Sequence, residues 1–352
     1  MPRNFLRRSQ AIFIAAIAIA VGGCGGSSVS VGGANQFVVT NLVADTAGPA
    51  SHTDPNLVNA WGMAASPTGP WWISDNGTGK TTLYSGDGTV NALVVDVPGS
   101  GTANGPVTGQ VYNPTSNFLI SGVLSSKFIF VTEDGVLSAW NSGTSAVAVN
   151  DLSGTGAIYK GLAMSSSGTS LYATNFHSGM VDVFDGSFAL VNSFTDPSIP
   201  AGYGPFGIQA IGSLIYVSYA KQDANKVDDV KGAGFGYVDV FNEDGTLNKR
   251  LVSNGALNAP WGLAKAPSSF GAASNALLVG NFGDGKINAY DATTGNLIAT
   301  LHDAGGNPIV IDGLWGLSFG NGASAGSTTT LFFTAGPNDE SSGLFGSVAV
   351  AP

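Results

Sequence analysis

One cysteine in 352 residues, Cys24, excludes an intramolecular disulfide. The three histidines, His52, His177 and His302, are scattered and form no His-Glu-x-x-His stretch or Cys/His cluster, which argues against zinc. Charge is sparse too: 10% of residues are Asp, Glu, Lys or Arg, and the only glutamates are Glu133, Glu243 and Glu340. With 13 Lys+Arg against 23 Asp+Glu the chain lacks the basic surplus that nucleic-acid binding requires. Long Leu/Glu/Lys-rich helical stretches are also missing. What fills the chain is Gly, at 51 residues, with Ser, Thr, Asn and Ala, a composition of short strands and many turns. The length permits two domains, but closed all-β folds of this size often form one.

The first 24 residues read as a targeting segment, to be set aside before fold reasoning. Arg3, Arg7 and Arg8 form a positive start, and Ala11 to Val21 an apolar run too short for a comfortable membrane span. Val21-Gly22-Gly23-Cys24 then closes the run with small residues before the lone cysteine. This ending resembles a bacterial lipobox. The resemblance implies diacylation at Cys24 and anchoring to a membrane through an N-terminal lipid; an ordinary secretory signal is the alternative. Residues 25–36, beginning Gly25-Gly26-Ser27-Ser28, read as a flexible tether, and 37–352 as one domain. No Asp follows Cys24, which resembles outer-membrane sorting and implies an outer-membrane lipoprotein of the cell envelope, with a periplasmic or secreted protein as the alternative. Without the leader the formal charge becomes −13.

Self-similarity organises the rest. An aromatic-Gly-apolar triplet recurs as Trp61-Gly62-Met63, Phe206-Gly207-Ile208, Trp261-Gly262-Leu263 and Trp315-Gly316-Leu317, with Lys160-Gly161-Leu162 as a degenerate copy. A unit around Asn113 to Asn141 lacks the triplet but keeps the strands that follow it. The spacing of about 45 to 55 residues suits one four-stranded propeller blade. Each triplet precedes an apolar strand such as Trp71-Trp72-Ile73-Ser74-Asp75, and then a third strand ending in an aromatic, such as Val181-Asp182-Val183-Phe184. Turns at Asp87-Gly88, Asp185-Gly186, Asp244-Gly245 and Thr294-Gly295 are expected to use glycine at positive φ. The sixth unit runs out after Gly346 to Val350, and Phe37 to Val43 can supply its missing strand. The expectation is an all-β, six-bladed β-propeller with four-stranded blades, closed by the N-terminal strand on the last blade.

These repeats resemble NHL-type six-bladed propellers. The stretch from Phe37 to Asp45, through Asn59-Ala60-Trp61-Gly62, to Trp72-Ile73-Ser74-Asp75-Asn76 resembles an uncharacterised family of exported bacterial proteins, some of which carry a PEP-CTERM sorting tail. Val350-Ala351-Pro352 shows no such tail here, and the resemblance implies no particular activity.

Propeller geometry puts the loop entering each first strand and the loop leaving each second strand on one face. The candidate ligand face is therefore Trp61, Trp261 and Trp315 with Asp75, Asn76, Glu133, Asn175, His177, Asn281 and Asp284. The plainer reading is that the aromatics wedge between blades and the Asp and Asn residues form turns. His177 is a base or metal ligand in one reading and an exposed turn residue in the other. No cofactor is evident. The oxygen-rich side chains of Asp75, Asn175 and Asn281 would suit Ca²⁺. Six-bladed lactonases hold such an ion on this face, but their glutamate on the first inner strand is not matched. Gly79-Lys80-Thr81 is not a phosphate loop, since position 74 is Ser and Leu83-Tyr84 read as strand instead of helix. The charged insertion 220–236 is expected to overhang the same face as a lid or docking loop. Two functions follow: a binding or scaffold module for a protein, glycan or small ligand, or a Ca²⁺-assisted lactonase-like, hydrolase-like or lyase-like enzyme. No catalytic constellation is evident, which favours the first.

Overall fold

The computed structural model describes residues 34–352; the leader, Cys24 and the tether up to residue 33 lie outside the described residues. The chain forms six antiparallel blades of four strands each. Blade 1 comprises Ala60–Ala65, Trp71–Asp75, Lys80–Tyr84 and Val95–Asp96. Blade 2 comprises Val107–Tyr112, Phe128–Thr132, Val136–Trp140 and Val147–Asp151. Blade 3 runs through Tyr159–Met164, Ser170–Asn175, Met180–Asp185 and Leu190–Phe194, and blade 4 through Tyr203–Ile211, Leu214–Lys221, Tyr237–Asn242 and Leu247–Ser253. Blade 5 consists of Pro260–Lys265, Leu277–Asn281, Ile287–Tyr290 and Leu297–Thr300. Blade 6 joins Leu314–Phe319, Leu331–Ala335 and Leu344–Val350 to the N-terminal strand Phe37–Ala44.

That closure pairs Phe37 with Val350 and Ala44 with Leu344, with a bulge between Asn41 and Val43. It gives the last blade its outer strand, so that Leu344–Val350 is not left as an open edge. A short parallel strand, His52–Thr53, continues the seam beside Val43 and Ala44.

Burial falls from the axis outward. The second strands of blades 1, 2, 5 and 6 are buried at every position, because neighbouring blades cover both faces. Outer strands such as Val147–Asp151 and Leu297–Thr300 are largely exposed. The near-continuous apolar runs of the second strands and the polar outer strands reflect this difference directly. Around the axis the first strands approach so closely that the triplet glycine is required. A Cβ on Gly207 would lie 1.9 Å from the Trp261 carbonyl oxygen, and one on Gly262 would lie 2.5 Å from that of Trp315.

Blade 2 has this glycine as well, in Thr108-Gly109-Gln110, where a Cβ on Gly109 would meet Leu162 N at 2.4 Å. The sequence pattern hides this copy because neither neighbour of the glycine is aromatic or aliphatic. The turn after Asp185 also differs from expectation. Its left-handed residue is Phe188, at φ 65°, and not Gly186. The Asp185 carboxylate accepts the N–H groups of Ser187 and Ala189, and Phe188 packs on Phe118 at 5.3 Å between ring centroids. Packing holds a conformation that glycine would otherwise supply.

Candidate functional site

The first strands bring Trp61, Lys160, Phe206, Trp261 and Trp315 together at the mouth of the central channel, while the equivalent Thr108 of blade 2 donates its hydroxyl to the Val131 and Tyr159 carbonyls. The residue just past the second strand adds Asn76, Glu133, Phe176 and Phe282 from blades 1, 2, 3 and 5. Blades 4 to 6 thereby build an aromatic plug with Trp61 and Phe176. Trp315 is stacked between Trp61 at 3.6 Å and Phe282 at 3.9 Å, with Trp261 edge-on to both tryptophans.

Blades 1 to 3 break this pattern with a polar arc. Lys160 is 1% exposed; its Nζ donates to Glu133 Oε1 and, at 3.3 Å, to Asp228 Oδ1 of the insertion. The same ammonium lies 5.2 Å from the Trp61 ring centroid and 5.7 Å from that of Phe176. Asn76 Nδ2 donates to the other Glu133 oxygen at 2.9 Å, and Asn59 Nδ2 to Asn76 Oδ1 at 3.2 Å and Glu340 Oε2 at 2.7 Å. Asn59 Oδ1 accepts the Trp315 indole N–H at 3.1 Å, which ties the arc to the plug.

The backbone holding this arc is unusual. Asn59 has φ 50°, and Asn338, Asp339 and Glu340 are three consecutive left-handed residues, a conformation that persists only where surroundings enforce it.

The insertion crosses the mouth as a strap. Asp223 N donates to Asp228 O, Val230 N to Lys221 O, and Gly232 N to Asn258 Oδ1. Lys231 Nζ sits 4.3 Å from the Phe282 ring centroid. Asp229 is carried inward, where burial pushes its pKa up to about 7, against the pull of Lys160 and Lys231. Glu340 is also raised, by burial first, with Asn59 opposing and Glu133 adding to it. For Lys160 burial works against the charge, but Glu133 and Asp228 more than offset it, so the ammonium stays protonated beyond the ordinary lysine range. Asp229 Oδ2 and the indole nitrogens of Trp61 and Trp261 are buried without a hydrogen-bond partner among the described residues.

Of the sequence candidates, Trp61, Trp261, Trp315, Asn76 and Glu133 meet here. Asp75, Asn175 and Asn281 do not join them or one another. Each ends a second strand and, by strand alternation, faces the flank of its own blade while the next residue faces the mouth. Asn175 Nδ2 bonds to Asp182, and Asn281 Nδ2 to Asp284 and the Ala256 carbonyl. Asp284 is further tied to Lys286 at 3.1 Å. His177 is exposed on the rim, its ring alongside Gly156. Among the described residues no three His, Cys, Asp or Glu side chains group as a metal site.

Sequence reasoning passed over Asn59, Asp229 and Lys160 as site residues. The signal for Lys160 was present, since a lysine replacing the aromatic of a repeat breaks the repeat at a position that faces the axis.

The chain is 34% identical over 325 residues to protein R648 of Acanthamoeba polyphaga mimivirus, covering 88% of this chain and 79% of that one. Protein L690 of the same virus is 32% identical over 328 residues, covering 88% and 85%. Both relatives are themselves uncharacterised, and both are viral where the sequence resemblance pointed to bacterial proteins. No protein-family model matches the chain. Among solved structures, a streptogramin B lyase superimposes with TM-score 0.55 at 10% identity, over 90% of this chain and 98% of its own. A catalytically inactive virginiamycin B lyase from Staphylococcus aureus with quinupristin gives 0.52 at 14%, over 90% and 99%. At that identity the likeness is one of fold.

Proposed function

The chain belongs to the family of the mimivirus proteins R648 and L690, and from that premise we propose an exported, lipid-anchored propeller that binds a small polar ligand at its channel mouth. The observation that carries this reading is the polar arc Asn59-Asn76-Glu133-Lys160 set against an aromatic plug, with the buried Asp229 Oδ2 and Trp61 Nε1 left unpartnered beside it. Buried polar atoms are nearly always satisfied in folded proteins, and a ligand donating to Asp229 and accepting from Trp61 would satisfy both. Aromatic walls with a few convergent polar groups are the ordinary make-up of a small-molecule site. Cys24, at the end of the leader, supports lipid anchoring. A panel of lactones and simple sugars screened by isothermal calorimetry tests the mouth: a binder should lose at least about tenfold in affinity with Glu133→Gln or Asp229→Asn. Loss of palmitate labelling in Cys24→Ala tests the anchor. No binder in the panel, or binding untouched by both mouth substitutions, counts against this site.

A lyase-like or hydrolase-like reading has one specific support. Asp229, at a pKa of about 7 beside the charged Lys160, could accept a proton near neutrality while the ammonium stabilises developing negative charge. Lactone opening that follows the Asp229 titration and is abolished by Asp229→Asn would select it.

A further inference from the structure

The seam where the ring closes holds a second polar cluster, separate from the mouth. Asp75, Thr82 and Tyr84 lie on one face of blade 1, since Asp75 pairs with Lys80, Ile73 with Thr82 and Trp71 with Tyr84. That face packs on blade 6 and the closing strand, through Leu42, Val43, Phe332 and Phe345. Asp54 enters from the closing segment: it follows His52–Thr53, and its N–H donates to the Ala44 carbonyl at 2.9 Å. Its Oδ2 accepts the Tyr84 hydroxyl at 3.0 Å.

Asp75 is wholly buried, and neither of its carboxylate oxygens has a hydrogen-bond partner among the described residues. The Thr82 hydroxyl, on the same face, is buried and likewise unpartnered among the described residues. Burial raises the Asp75 pKa well above the carboxylate range; Thr82 and the nearby Lys80 oppose this and Asp54 adds to it. Lys80 itself is taken by Asp96 at 2.9 Å. Sibling blades show the contrast. In blade 3 the Asp182 carboxylate collects Tyr159 Oη, Asn175 Nδ2 and Ser193 Oγ, and in blade 4 Asp239 is held by Arg250. In blade 1, Asp75 has neither such donors nor a basic partner, and Asp54 of the closing segment has only the neutral donors Tyr84 Oη, Asn56 N and Asn56 Nδ2.

We propose that Asp54 and Asp75, with the Thr82 hydroxyl, hold a divalent hard cation, Ca²⁺, as a clasp between the closing segment and blade 1. The donors are all oxygen, two carboxylates balance the charge, and Ca²⁺ tolerates the irregular geometry that rigid strands impose better than Mg²⁺ does. The ion couples the closing segment to the first blade, so its binding energy opposes opening of the ring.

The test is thermal unfolding of the full-length chain, stripped with EDTA and dialysed, then titrated with CaCl₂ and, in a parallel arm, MgCl₂. At a hundredfold excess over Kd, Ca²⁺ should raise the midpoint by roughly 5 °C or more, and Mg²⁺ by less. Asp75→Asn and Asp54→Asn should each abolish the shift. Asp75→Asn in EDTA should unfold no earlier than the unsubstituted chain in EDTA, since it removes an uncompensated buried acid. Asp182→Asn in blade 3 should retain the Ca²⁺ shift, even if its baseline midpoint falls. No Ca²⁺ shift in the unsubstituted chain, or a shift that survives both Asp75→Asn and Asp54→Asn, overturns the clasp and leaves Asp75 as a buried protonated acid.

Discussion

Lys160 stands where four of the six blades place an aromatic ring, and nothing about blade formation asks for it there. A buried ammonium is tolerable only while its partners remain, so its energetics are those of a coupled network more than of an independent contact. Glu133→Gln should destabilise the chain by about 2–4 kcal/mol, because it leaves Lys160 with only the exposed Asp228 as a directly bonded carboxylate. Lys160→Met should cost less, about 1–3 kcal/mol, since the Glu133 side chain keeps 23% exposure and can hydrate. The double substitution should cost less than the sum by about 1 kcal/mol or more, as read from a urea-unfolding double-mutant cycle. An additive result would mean the pair is not coupled and would weaken its role in organising the mouth.

Within blade 4, an ion cluster ties the outer strand to its neighbours: Arg250 of the fourth strand bonds Asp239 of the third at 2.9 Å and also reaches Asp196, which precedes the blade. Burial pushes Asp239 up to about 6 despite Arg250, whereas Asp196 stays below the ordinary range because Ser198 and Arg250 outweigh its own desolvation. The sign for stability follows from the folded state holding the extra proton. A raised folded pKa gives a contribution fully present below the unfolded carboxylate value and lost as pH rises through the folded one. Between about pH 4 and 7, then, Asp239 and Asp229 should make stability decline with rising pH, as measured by denaturant midpoints. Asp239→Asn should flatten the part of that decline between about pH 4 and 6, where the folded chain keeps a proton that the unfolded chain has lost. Asp96, lowered chiefly by its bond from Lys80, acts oppositely, its contribution vanishing as pH falls through its depressed pKa.

Ring closure is a property of the whole molecule, because Phe37–Ala44 completes a sheet whose other strands come from the far end of the chain. Deleting residues 37–44 should expose Leu344–Val350 as a free outer edge, lower the unfolding midpoint by more than about 10 °C and produce oligomers in light scattering after size exclusion. A monomer of unchanged midpoint would show that closure adds little. Closure is legible in the sequence, as are the blade repeat and the mouth positions of Trp61, Trp261, Trp315, Asn76 and Glu133, because all depend on periodic features that local sequence carries. The blade 2 copy at Thr108-Gly109-Gln110 is not legible there, because the surviving requirement is a close backbone approach that any glycine meets. Asp75, Asn175 and Asn281 look equivalent to their neighbours at the mouth, but strand alternation turns each by one residue toward a blade flank. By itself, then, the sequence determined architecture, since alternation, turn chemistry and repeat length are local and repeated six times. Only the tertiary structure decided that Lys160, Asp229 and Glu340 share one mouth and that Asp54 bonds Tyr84 on the blade 1 face that carries Asp75. Those meetings join residues from different blades, loops and ends of the chain, and their distances depend on how the ring closes in space.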